Sequence, residues 1–384
     1  MTLKLNSDGN RPFPQKSEIY PLLLLRKCFL PFILATTAMS GKVRILITFV
    51  VEPDLIRKIE EVDPRVEVLY EPNLLGVPRY ACDQHGTPIQ HTPDQKERWS
   101  NLLSQAEIIF GYVLHTNVKE LPSSAPRLRW VQSPSAGVGQ WVKRTGFSDV
   151  DIPMTTASLI HATPLAEFSM MALLWFVKDI PRMVAEQRRR HWERYAGTTL
   201  KGKTVAVIGL GSIGQEVARL AKCFGMRVMG TKRTIEGVDP ESLNAELLYP
   251  RQELDSMLSQ ADFVIVCVPH TAETEGLIGE RELAAMKQGA VLINIARGVI
   301  VDEEALIGAL KSGHLSGAAL DVQTREPLPL DSPLWGMPQV LISPHSGSNV
   351  DSENLELVEL FCNNLRRYLN GMPLLNVLDK KRLY

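Results

Sequence analysis

The sequence has no surplus of either charge. Its 42 Lys and Arg stand against 43 Asp and Glu, a formal net charge of −1. A nucleic-acid binder usually shows a basic excess, so that class is set aside. Cysteine is scarce: Cys28, Cys82, Cys223, Cys267 and Cys362 are scattered, and no two stand at CxxC spacing. No metal site or disulfide framework is therefore signalled, and a reducing compartment such as the cytoplasm fits. Cys223 and Cys267 fall in apolar runs and read as small buried hydrophobes. Glycine (26) and proline (25) are near average, which excludes collagen-like and low-complexity chains. Long apolar runs are also missing. Arg26-Lys27, Pro21 and Pro31 divide the apolar N-terminal stretch, and Phe168–Val177 covers only ten residues. A membrane span is not expected.

What is present is an ordinary globular composition, 45% hydrophobic and 22% charged over 384 residues. That is enough for a sizeable core and argues for about two domains. Residues 1–42 read differently from the rest. Lys4, Arg11, Lys16, Arg26, Lys27 and Lys42 outnumber Asp8 and Glu18. The stretch reads as an extension outside the fold, with Met39 as a possible start, or as a secretory or organellar presequence. The fold is expected to begin with the apolar run Lys42–Val50.

From 43 to 155 short strands and helices alternate. Strands are predicted at 66–70, 106–110 and 128–132, helices near 53–61 and 94–104, and a loop over the Pro- and Gly-rich stretch 71–93. Residues 163–192 read as a long helix with Thr163 as N-cap, Pro164 in its first turn and a kink or restart at Pro181. Its apolar part is buried either in the core or against a second subunit. The charged run 186–190 reads as a solvated face. From 203 to 343 the alternation is regular, with strands at 204–208, 227–230, 262–268, 290–295, 316–320 and 340–343. A last helix covers about 351–369. The fold class is α/β, with parallel sheets covered on both faces.

Gly209-Leu-Gly-Ser-Ile-Gly214 follows the first strand of this second half and opens an amphipathic segment. That is the context a dinucleotide-binding loop requires. Gly209 makes the turn, Gly211 admits a pyrophosphate, and Gly214 lets helix and strand approach; Ser212 and Ile213 begin the helix. An NAD site usually places an acid at the end of the next strand. Met229–Thr234 holds none and carries Lys232 and Arg233 instead. These two cations suit a 2′-phosphate, so NADP(H) is the expected cofactor and NAD the alternative.

These motifs, with Asn294-Ile-Ala-Arg-Gly298, Asp321–Leu328, Ser343-Pro-His-Ser-Gly347 and Ser135-Ala-Gly-Val138, stand in an order that resembles the D-isomer-specific 2-hydroxyacid dehydrogenases over residues 43–375. The resemblance implies two Rossmann-like or flavodoxin-like domains, doubly wound parallel sheets with the active site in the cleft between them. A substrate domain would comprise 43–155 and 346–384, with a dinucleotide-binding domain of 156–345 inserted. It implies Arg297, Glu326 and His345 as catalytic residues. Lys232, Arg233, Pro269, Ala296 and Asp321 would join the glycine loop in binding the cofactor, Asp321 at the nicotinamide amide. Ala136, Gly137 and Val138 would bind the substrate carboxylate with Arg297, and the assembly would be a homodimer.

The residue chemistry agrees. Reducing a 2-oxo acid requires a grip on the carboxylate, a proton for the carbonyl oxygen and a hydride source. Arg297 ends a parallel strand and its planar fork suits a carboxylate. His345 exchanges protons near neutrality, and Glu326 can fix its tautomer and stabilise its charged form. His115, His161, His270 and His314 read as structural. Tyr112, Val113, Leu114, His115 and Trp141 are candidates for the wall around the substrate's side chain. Gln323 stands where many family members carry an aromatic residue. The expected activity is reduction of a small 2-oxo acid, of the glyoxylate or hydroxypyruvate kind. A nucleotide-sensing corepressor on the same fold is the alternative.

Overall fold

The structure is a computed structural model that describes residues 41–384. The expectations for the N-terminal extension lie outside the described residues. The first half contains β1 (Val43–Ile47), α1 (Pro53–Glu60), β2 (Val66–Leu69), α2 (Pro93–Gln105), β3 (Ile108–Phe110), α3 (Leu121–Ser124), β4 (Trp130–Gln132), α4 (Gly139–Thr145) and β5 (Met154–Thr155). Next come α5 (Ala162–Val177), α6 (Ile180–Arg189), β6 (Thr204–Ile208), α7 (Ser212–Cys223), β7 (Arg227–Thr231), β8 (Leu247–Tyr249), α8 (Leu254–Leu258) and β9 (Phe263–Val266). The chain continues through α9 (Glu280–Ala285), β10 (Ala290–Asn294), α10 (Glu303–Lys311), β11 (Leu315–Leu320), β12 (Val340–Ile342) and α11 (Glu353–Leu369).

The strands form two sheets, of order β2-β1-β3-β4-β5 and β12-β11-β10-β9-β6-β7-β8, with every named pair parallel. In each sheet the direction of winding reverses once, between β1 and β3 and between β6 and β9. Crevices at the carboxyl ends of strands beside such reversals are where open α/β sheets bind ligands. The central strands are apolar on both faces, because helices cover both. In β6, Val205, Val207 and the α7 residues Val217 and Ala218 pack on one side, and Ala206 and Ile208 on the other.

The first sheet is likewise covered on both faces. α11 returns to it from the far end of the sequence. Phe361 stacks on Phe110 at 4.2 Å, and Leu357, Val358 and Leu365 fill the same core. β5 is tied to the residues after α11, where Leu378 N–H donates to Met154 O at 2.8 Å.

The apolar stretch 168–177 belongs to α5. Met170, Leu173 and Val177 are buried in the core that includes α7, while Met171 is exposed. The predicted helix 163–192 is two helices. Asp179 adopts φ 51 and its carboxylate accepts from Arg182 N–H, so it caps α6, with Pro181 in the first turn. Proline lacks the N–H a continuous helix needs, and the chain breaks just before it. Thr163 is not the cap of α5, which starts at Ala162 with His161 in the cap position. Cys223 is exposed at the end of α7 and is not buried in the core.

Candidate active site

The carboxyl ends of both sheets face one cleft of about 480 Å³. Its floor on the second-sheet side is the glycine loop. Gly209 has φ 103, and a side chain there would meet Val268 Cγ1 at 2.7 Å. A Cβ on Gly214 would fall 2.1 Å from Gly209 O, so only glycine lets α7 start this close to β6. At Gly211, by contrast, no atom lies within 4 Å of an added Cβ. No side chain caps α7, whose first residues Ser212 and Ile213 line the cleft. An open glycine edge before an uncapped helix N-terminus fits a dinucleotide pyrophosphate. Pro269 and Ala296 line the same space. Beyond β7, Lys232 Nζ donates to Leu210 O at 3.1 Å, and Arg233 Nη2 lies 3.3 Å from Glu273 Oε2.

Arg297 follows β10 and reaches across the cleft. Its Nη1 donates to Ala296 O at 2.6 Å and its Nη2 to Gly137 O at 3.1 Å. A Cβ on Gly137 would sit 1.9 Å from Nη2, so any side chain there would push the guanidinium out of this position. Burial lowers the Arg297 pKa most, and the charges of Glu326 and Asp321 partly offset it. It remains a cation, because guanidinium deprotonates far above neutrality.

His345 Nδ1 lies 2.8 Å from Glu326 Oε2, and Gln323 N–H donates to Glu326 Oε1 at 3.0 Å. Burial works hardest against the ionised form of Glu326. The His345 and Gln323 hydrogen bonds and the charges of His345 and Arg297 outweigh it, holding the carboxyl below its usual range. Glu326 is therefore ionised at neutral pH and fixes Nδ1 as the donor, which leaves His345 Nε2 to exchange a proton.

His345 has φ 54, an uncommon conformation for a non-glycine residue. Asp321 imposes it: its carbonyl accepts from His345 N–H at 2.8 Å. Its Oδ1 accepts from Ser343 Oγ at 2.6 Å, Ser346 N–H at 2.9 Å and Gly347 N–H at 2.8 Å. Asp321 also lines the cleft.

Ala136 and Gly137 line the cleft opposite Arg297, and Val138 continues this loop with its side chain turned into the core of the first sheet. Of the wall candidates only Tyr112 faces the cleft. Val113, Leu114 and Trp141 pack on the first core, because the chain folds back onto it after Gly111. The His115 ring packs against His91 at a tilt of 42°, with ring centroids 4.2 Å apart. Gln323 is buried away from the cleft.

The wall is built instead by Tyr80, Gln84, His85, Ser135, His161 and Glu353, of which the sequence reading named only Ser135, in the Ser135–Val138 motif, and His161, as structural. Tyr112 Oη is 2.7 Å from Ser135 Oγ and 3.4 Å from His85 Nε2, and burial pushes its hydroxyl up to about 12. His161 Nε2 is 2.9 Å from the buried Glu353 carboxylate, and His270 Nδ1 is 2.6 Å from Gln140 Nε2. Both histidines line the cleft, whereas the His314 ring bonds Gln288 and Leu283 outside it. The signal available in the sequence was Asp83-Gln-His-Gly86, an Asp–Gly turn that carries two of the wall residues.

Comparison with known proteins agrees with this geometry. Residues 170–347 match the D-isomer specific 2-hydroxyacid dehydrogenase, NAD binding domain. The glyoxylate reductase of Thermococcus gammatolerans is 37% identical over 269 residues, 66% of this chain and 76% of that protein. A D-isomer specific 2-hydroxyacid dehydrogenase of Xanthobacter autotrophicus, solved with NADPH and MES, superposes with a TM-score of 0.71 at 29% identity, over 90% of this chain and all of that one. The NADPH-dependent glyoxylate/hydroxypyruvate reductase of Sinorhizobium meliloti, solved with NADP and sulfate, gives 0.69 at 26% identity, over 89% of this chain and all of that one. The chain belongs to the D-isomer-specific 2-hydroxyacid dehydrogenase family. It is an NAD(P)-dependent oxidoreductase that interconverts 2-oxo acids and D-2-hydroxy acids.

Proposed function

We propose that this enzyme is an NADPH-preferring reductase of small 2-oxo acids of the glyoxylate and hydroxypyruvate type, working as a homodimer in the cytoplasm. One observation carries the catalytic part of the reading. His345, with Glu326 2.8 Å behind it, and Arg297 border the same cleft as the uncapped start of α7. The absence of an acid after β7, where Lys232 and Arg233 stand, supports NADPH. The names of the Thermococcus and Sinorhizobium relatives support the substrate class. The polar wall of Tyr80, His85, Tyr112 and Ser135 suits a short, polar side chain better than a bulky apolar one. Exposed Met171, Met183 and Trp192 support a subunit contact along α5 and α6.

In this reading residues 43–155 and 346–384 form the substrate domain, and 156–345 hold the dinucleotide. Bound NADPH supplies the hydride that C2 of the substrate receives. Arg297 grips the substrate carboxylate and orients the carbonyl, with backbone amides at Ala136, Gly137 and Val138 assisting. His345, protonated at Nε2, gives its proton to the carbonyl oxygen, and Glu326 stabilises the imidazolium before transfer. Asp321 keeps His345 in place and would hold the nicotinamide amide.

The test follows the oxidation of NADPH and of NADH with glyoxylate, hydroxypyruvate, pyruvate, phenylpyruvate and branched 2-oxo acids. The expected result is a higher kcat/KM with NADPH, and with the two small acids above the bulky ones. Preference for NADH, or for phenylpyruvate, would overturn the corresponding part of the reading.

A further inference from the structure

We infer that Tyr384 is a specificity-determining residue for the cofactor, one that meets the 2′-phosphate of NADPH from the wall of the cleft opposite Arg233. The inference rests on the NADPH reading above. Residues 377–384 are fastened to the first sheet. Val377 bridges Thr155, and Lys380 bonds Val150 O and sits 4.7 Å over the Phe147 ring. Leu383 N–H donates to Asp379 O at 2.7 Å. Leu383 O occupies the space that a side chain on Gly139 would need, 2.5 Å from the ideal Cβ. From this anchored position Tyr384 crosses to the second-sheet side. Its hydroxyl oxygen accepts from Arg233 Nη1, and Arg233 Cζ stands 5.0 Å from the ring centroid. Tyr384 and Leu383 line the same cleft as Gly211 and Ser212.

The chemistry of this pair selects a phosphate. A guanidinium stacked on a ring keeps its N–H donors in its own plane, free for an acceptor at its edge. In the structure those donors meet a neutral phenol oxygen and, at 3.3 Å, the exposed Glu273 carboxylate. A phosphate dianion is the stronger acceptor, because its hydrogen bonds to the guanidinium are charge-assisted. Once it takes the guanidinium N–H, the phenol O–H turns from acceptor to donor and adds a bond to the same phosphate. NADH places an uncharged hydroxyl there and draws neither bond with comparable strength. Because Arg233 follows the second sheet and Tyr384 is fixed to the first, the 2′-phosphate ties the two walls of the cleft together.

The test measures Kd for NADPH and NADH by titration calorimetry on the full chain, in wild type, Tyr384→Phe, Tyr384→Ala, Arg233→Ala and Arg233→Ala/Tyr384→Phe. Tyr384→Phe keeps the ring and loses only the hydroxyl. Its Kd for NADPH should rise about ten- to a hundredfold, the worth of one hydrogen bond to a charged group. Its Kd for NADH should stay within about twofold, and in the Arg233→Ala background the effect should shrink below about twofold. Tyr384→Ala should weaken NADPH binding at least as much. Equal effects on both cofactors, no effect, or tighter NADPH binding would overturn the inference. The last result would mark Tyr384 as an obstacle to the phosphate. A wild type that binds NADH as tightly as NADPH would overturn the NADPH reading and the inference together. A wild type that prefers NADPH, with an unchanged ratio in Tyr384→Phe, would overturn the inference alone.

Discussion

In the proposed mechanism three side chains divide the chemistry, and each has its own kinetic signature. His345 has to be protonated for reduction and neutral for oxidation, so reduction is limited at high pH and oxidation at low pH. The Glu326 carboxyl lies below its usual range, so it is ionised throughout the working range and favours the imidazolium. Glu326→Gln removes that charge and keeps the shape. The reductive limb of kcat/KM should then move to lower pH and the oxidative limb should extend to lower pH; limbs that stay put or move upward would dissolve the pair. His345→Ala should lower kcat by roughly 10²–10⁴-fold, the usual worth of a positioned acid–base group. Arg297→Lys should keep the charge but lose the fork, and so damage both KM for the 2-oxo acid and kcat. A change in KM alone would show that Arg297 binds without orienting.

At the scale of elements, one loop decides how the substrate side of the cleft is built. Asp83 is buried beneath residues 79–86, and its carboxylate accepts from Arg79 N–H at 3.1 Å, Arg79 Nε at 2.8 Å and the amides of His85 and Gly86 at 3.1 Å each. Tyr80, Gln84 and His85 line the cleft because this loop is fixed. Asp83→Ala leaves those donors without an acceptor and should destabilise the protein by about 2–3 kcal/mol. KM for the 2-oxo acid should rise severalfold while KM for NADPH stays near wild type. If both constants are unchanged, the loop does not shape the substrate site.

The same elements show what a sequence can and cannot display. Long strands buried on both faces, such as β6 and β10, are apolar runs followed by glycine or a helix start, and they are legible. The two-residue β5, the edge strand β8 and the seven-residue α4 are too short to show a period. Arg297, Glu326 and His345, the candidate catalytic residues that the fold brings together, stood out because each follows a strand inside a recognisable motif. The wall was not, because Tyr80, Ser135, His161 and Glu353 meet only after folding, and a loop carries no periodicity. Val113 and Leu114 follow Tyr112 in sequence but face the core.

At the scale of the whole molecule, titration links the site to stability. The carboxyls of Asp63, Asp83, Glu186, Glu216, Asp262, Glu282 and Glu326 are all held below their ordinary range. At Asp83, burial is the largest influence and opposes ionisation, but the Arg79 hydrogen bonds and the Gly86 and His85 amides outweigh it. At Asp262, burial is again opposed successfully, here by Lys287 and by the Thr204 amide at the start of β6. A carboxyl depressed in the folded state binds fewer protons there than in the unfolded chain. Its contribution is complete above the ordinary carboxyl range, about 3.9–4.3, and is lost as pH falls through the folded value. Glu107 is the opposite case, since burial raises it despite the Tyr368 hydroxyl and Arg129. As the one raised carboxyl among the described residues, it cannot reverse the sum. The melting temperature should therefore change little between about pH 6 and 8 on account of these groups and fall steeply below about pH 4. Asp83→Asn removes one titrating group and lowers stability at neutral pH, so the gap between variant and wild type should narrow as the solution is acidified. Calorimetric melting temperatures for both proteins from pH 3 to 8 test this. A gap that stays constant to pH 3 would mean that Asp83 keeps the same protonation state in the folded and unfolded chain, and its buried carboxylate would have to be reassigned.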